Sequence, residues 1–127
     1  MKIKAKEALR YLGCTGNYRG YHQIAYACEL IAKDENLLLR VTLDLYPKVA
    51  EKFNCKSINV ERNIRTVVKL IWSKNPERLI EISGCDLKYP PTTTEFLDYL
   101  VTYVQRQDNY STNIGSDSEE SSFYCLF

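Results

Sequence analysis

The segment INVERNIRTVVKLIWSK, residues 58–74, constrains the fold more than any other stretch. Val60, Ile64, Val67, Val68 and Ile71 recur at the spacing of one helical flank. At about 100° per residue, Asn59, Arg62, Arg65, Thr66, Lys69 and Ser73 gather on the opposite flank. Such a helix must bury its apolar stripe under other elements, and it then holds a cationic and amide strip outward. What that strip meets is the functional question.

The flanking sequence supplies further helices. Residues 4–12 read as a short helix stopped by Gly13, and CTGNYRG as a loop. From Tyr21 to Lys33 the residues Ile24, Ala27, Cys28 and Ile31 keep helical spacing, and Asp34 is placed to cap a third helix with Leu37, Leu38 and Val41 inward. Pro47 suits the first turn of a fourth helix carrying Val49, Ala50 and Phe53. Asn54 tolerates the left-handed backbone of a helix end, and Ser57 is the expected N-cap of the long helix. Asn75 before Pro76 interrupts that helix, and a short one follows to Ser83. After the irregular GCDLKYPP, a last helix spans 92–105 with Phe96, Leu97, Leu100 and Val104 inward.

No stretch alternates as a strand does, so the expected class is all-α, a compact bundle of about six to seven helices. Residues 1–106 form the expected domain. Residues 107–127 are polar and acidic without a periodic apolar face and read as a disordered tail, although FYCLF at 123–127 is apolar again.

A chain of 127 residues suffices for one domain with a buried core. There is no run of about 18 apolar residues to span a membrane and no secretory signal, so the expected location is cytoplasmic. The five cysteines are then reduced thiols, and without a C-x-x-C pair they suggest neither a disulfide framework nor a zinc site. Charge is segregated: residues 1–78 carry 15 basic and eight acidic side chains, and residues 79–127 carry two and eight. A basic surface on part of a small domain favours polyanions.

Catalysis finds little support. His22 is the single histidine, and Cys28, six residues along the same helix, falls on another side from it. No phosphate-binding glycine loop is present, and no cofactor is called for. The ten tyrosines suit packing better than a stacking platform for single strands.

Residues 46–74 hold two helices joined by a very short turn, with small Ala50 at the crossing and Val49, Phe53, Val60 and Ile64 available as a shared core. This is a helix-turn-helix pattern, whose second helix, here 57–74, enters the major groove of double-stranded DNA.

VTLDLYPKVAEKFN, then VERNIR and a tryptophan, closely resemble the C-terminal DNA-binding domain of the response regulator that initiates sporulation in endospore-forming bacteria. RGY at 19–21, the leucines at 37–38 and PTTTEF at 91–96 resemble it in the same order, so the likeness runs from Leu9 to Val104. The resemblance implies a helical bundle that binds short operator boxes, works as two copies in tandem and contacts an RNA polymerase sigma factor. With Met1 just before the first helix, the expectation is a stand-alone domain lacking the receiver.

The resemblance places Glu61, Arg62 and Arg65 on the recognition helix. Arg62 is the expected base reader, because a guanidinium bonds guanine O6 and N7 together. Arg65 can reach a base or a phosphate; Lys69, Lys56 and Arg19 are phosphate candidates. Glu61 can accept from a cytosine amino group or pair with Arg65 one turn on, and the pair is the favoured reading. Asn59 and Thr66 depart from the family, which usually has arginine and histidine there. They imply a changed operator preference, or a runner-up function in which DNA binding is lost and the domain contacts only a sigma factor or a full-length regulator.

Overall fold

Val60, Ile64, Val67, Val68 and Ile71 are all sealed from solvent, and the helices that seal them define the architecture. The computed structural model describes the backbone of residues 2–112 and the side chains of residues 4–107. Among these, six α-helices and no strand are found: α1 (Lys2–Tyr11), α2 (Arg19–Lys33), α3 (Tyr46–Lys52), α4 (Ser57–Lys74), α5 (Pro76–Ser83) and α6 (Thr93–Thr112). α4 packs against α2, α3, α5 and α6, and α2 against α1, α4 and α6. The core lies where these helices converge, with Ile24, Ile31, Ile64, Ile71, Phe96, Leu97 and Leu100 closed off from water. No helix among the described residues is long and apolar enough to cross a membrane.

Local chemistry sets the helix ends. Asn75 ends α4 and precedes Pro76, the first residue of α5; its side-chain amide donates to the Leu12 carbonyl at 2.8 Å, tying this break to the end of α1. α6 opens with reciprocal capping, in which Glu95 N–H donates to Thr92 Oγ1 (3.1 Å) and Thr92 N–H to Glu95 Oε1 (2.9 Å).

Four sequence expectations are corrected. The third helix is not α-helical: a 3-10 turn, Glu35–Leu39, capped by Asp34 as expected, gives way to a π-helical turn, Val41–Leu45. Arg40 at φ −138°, ψ 51° breaks the run, and its carbonyl accepts from Leu45 N–H across five residues. Leu37 and Val41 are buried, but Leu38 only half so. α2 begins at Arg19, so Arg19 is helical rather than in the loop. Lys56, not Ser57, is the extended residue before α4, and no side chain caps that end. α6 continues to Thr112, so residues 107–112, expected as the start of the tail, are helical. The remainder of the expected tail, 113–127, lies outside the described residues.

Candidate nucleic-acid interface

The turn between α3 and α4 follows from one left-handed residue. Asn54 has φ 53°, and around it Cys55 N–H donates to Ala50 O (3.0 Å) and Asn54 N–H to Glu51 O (3.3 Å). This paired closure consumes the last carbonyls of α3 and turns the chain within four residues. Val49, Ala50, Val60 and Ile64 are buried and Phe53 is half-buried against the same core. The two helices form a helix-turn-helix.

α2 fixes α4 from the other side. A side chain at Gly20 would sit 2.6 Å from the Asn63 carbonyl oxygen and 2.6 Å from Val67 Cγ2, so only glycine lets the two backbones approach this closely. Next to it, the buried Gln23 accepts from Asn63 Nδ2 at 3.0 Å and donates to Cys55 Sγ at 3.7 Å. One carboxamide thus spans α2, the turn and α4. Sequence reasoning missed Gln23 and Asn63; the available signal was a polar residue at the edge of an otherwise apolar face, three residues after a helical glycine.

With its rear held on two sides, α4 presents Arg62, Thr66, Lys69 and Ser73 exposed, and Asn59 half-buried at the edge of the same strip. Arg62, Lys69 and Asn59 have no side-chain partner among the described residues. The Thr66 hydroxyl donates to the Arg62 carbonyl at 2.9 Å, so it is satisfied within the helix. Arg65 lies to one side, bonded to Glu61 through Nη2–Oε1 at 2.6 Å. The favoured reading of Glu61 as a helix partner therefore matches the geometry. Behind that pair, Tyr46 donates to Thr93 Oγ1 at 2.8 Å, and burial pushes its phenol above the ordinary value.

Lys56 is exposed at the N-terminal end of α4, where its carbonyl accepts from Asn59 N–H at 3.0 Å and Val60 N–H at 3.2 Å. Arg19 is exposed at the first residue of α2, adjoining α4 because Gly20 touches it. The eight residues expected at the site thus fall on one helix, its leading end and the adjacent turn of α2.

Among the described residues, His22 and Cys28 are engaged separately. His22 Nε2 is engaged by the Gly16 carbonyl at 2.8 Å. Cys28 is fully enclosed, and desolvation pushes its thiol up to about 12.

The helix-turn-helix is thus locked by the core, with a cationic strip outward and Gly20 at the α2–α4 crossing. Residues 5–104 match the family described as Sporulation initiation factor Spo0A C terminal. The chain belongs to that family, whose members are the DNA-binding effector domains of response regulators controlling transcription in sporulation.

Proposed function

We propose that this chain is a sequence-specific double-stranded DNA-binding transcription regulator that lays α4 in the major groove. The observation that carries the reading is Arg62 on the outward strip of α4, exposed and without a partner among the described residues, while the opposite flank is locked by Gly20 and the core. Rigid placement matters because base readout requires a bidentate guanidinium to meet O6 and N7 in one plane. Lys69, Lys56 and Arg19 supply phosphate contacts that position the helix without reading sequence. Asn59 suits the N6 and N7 edge of adenine, so the preferred box differs from that of family members with arginine there. Family membership extends the reading to two copies on adjacent boxes and to contact with an RNA polymerase sigma factor.

Selection of bound sequences from random duplex DNA tests this, with an Arg62→Ala/Arg65→Ala variant as control. Enrichment of a motif by the parent protein and not by the variant is the expected result. If about five phosphates are neutralised, log affinity falls against log salt with a slope near −4 to −5. The competing reading is a module that has kept only protein contacts; it is favoured by the satisfied Thr66 hydroxyl and the altered position 59. Failure of both proteins to enrich a motif would select it.

A further inference from the structure

Leu39 and Leu43 are 82% and 68% exposed, an unusual state for large aliphatic side chains on neighbouring turns. Next to them Arg40 Nε meets Asp44 Oδ2 at 3.0 Å. Leu39 and Leu43 are each one residue earlier, on the 3-10 and π turns that meet at Arg40. Pro47, four residues further on the first turn of α3, is also exposed. Beside this apolar ridge run Arg40, Asp44 and Lys48, a mixed edge with a net positive charge.

A complementary segment exists in the same chain. Residues 123–127 read FYCLF, four large apolar side chains in five positions, and Asp117, Glu119 and Glu120 precede them. No basic residue occurs between 113 and 127. The span also fits. From Thr93, whose hydroxyl is bonded to Tyr46 beside the ridge, α6 runs about 28 Å to Thr112. Eleven residues from Thr112 to Phe123 reach at most about 36–40 Å, enough to return along α6. A tether of that length holds its end at an effective concentration on the order of millimolar, sufficient for a modest apolar contact.

We propose that Phe123–Phe127 docks intramolecularly on the ridge of Leu39, Leu43 and Pro47, with the preceding carboxylates drawn along Arg40 and Lys48. This goes beyond the DNA-binding reading and does not depend on it. The occupant is this chain's own segment, since its order of acidic then aromatic side chains matches the ridge and its basic edge.

Solution NMR of the full chain, with leucine methyls and phenylalanine rings labelled, tests the contact. Expected are cross-peaks from the Phe123 and Phe127 rings to the Leu39 and Leu43 methyls, unchanged on tenfold dilution. They are lost in full-length Phe123→Ser/Phe127→Ser, and also in Leu39→Ser/Leu43→Ser, whose exposed positions leave the core intact. No cross-peak in the parent protein overturns the proposal. Cross-peaks seen only between differently labelled copies in a mixed sample also overturn it, and they assign the ridge to a second copy.

Discussion

Asn63 on α4 donates its amide to Gln23 on α2 at 3.0 Å, and the Gln23 amide in turn reaches Cys55 Sγ in the turn at 3.7 Å. A single buried side chain thus sets α4 against both the helix behind it and the turn before it. Gln23→Leu keeps the volume and removes both bonds, leaving Asn63 unpaired. The expected loss is about 1–3 kcal/mol of stability, read as a lowered Tm. Selectivity between preferred and random duplex should fall more than affinity for random duplex, because positioning serves base readout. The exchange Gln23→Asn/Asn63→Gln, which restores an amide pair, should recover part of that selectivity.

Gly20→Ala is the sharper structural test. The added methyl meets the Asn63 carbonyl and Val67 Cγ2 at 2.6 Å, and a backbone oxygen cannot swing aside. Overpacking of this kind costs about 1–3 kcal/mol, so thermal unfolding should shift down by several degrees. An unchanged Tm would mean that the α2–α4 crossing relaxes freely.

Much of this architecture was legible in the sequence, and the remainder was not for identifiable reasons. The stripe from Val60 to Ile71 announced α4 because a long amphipathic period admits few alternatives. Pro47, Asn54 and Pro76 punctuated the chain where backbone chemistry demands it. The 3-10 and π turns were hidden because Leu37 and Val41, both buried, fit an α-helical spacing as well as the irregular path. The extension of α6 past Gln107 lacks an apolar period, so local pattern could not signal it. Of the site, the exposed residues on α4 were legible from periodicity and resemblance. For Gln23 and Asn63 only a polar residue on an apolar face was visible, since a tertiary hydrogen bond between residues 40 apart leaves its partner unmarked.

Thiol burial gives the fold a pH dependence. Desolvation pushes Cys28 up to about 12 and Cys14 to about 11, each above its unfolded value. The unfolded chain therefore loses these protons first as pH rises. Stability is complete below the unfolded thiol pKa and is lost from about pH 9 upward, by about 1.4 kcal/mol per pH unit for each thiol. Denaturant midpoints between pH 8 and 10.5 should decline, and Cys28→Ala should flatten the decline although it begins from a lower midpoint.

The Glu61–Arg65 pair separates two roles for the carboxylate. Their side chains are 35% and 52% exposed, so the pair contributes little, about 0.2–0.5 kcal/mol. Glu61→Gln should leave Tm nearly unchanged while releasing Arg65 toward phosphate and removing a repelled charge, so duplex affinity should rise a few-fold. If Glu61 instead accepts from a cytosine, the same substitution lowers affinity and erases preference at one base position, which a titration on single-base variants would reveal.

Asn59 and Thr66 provide the most direct probe of operator choice. Thr66 is exposed and bonds only to the Arg62 carbonyl, while Asn59 has no side-chain partner among the described residues. Both can therefore change with little effect on the fold. Asn59→Arg exchanges an adenine-reading amide for a guanine-reading guanidinium, and each recovered base contact is worth about 1–3 kcal/mol. The double variant Asn59→Arg/Thr66→His should therefore bind the box used by arginine- and histidine-bearing family members at least tenfold more tightly than the parent. Its unfolding midpoint should move little. Fluorescence anisotropy on that box, and on one selected with the parent protein, gives both affinities. A parent protein already binding the family box as tightly as the double variant would show that positions 59 and 66 do not set the preference, and would leave Arg62 and Arg65 to carry it.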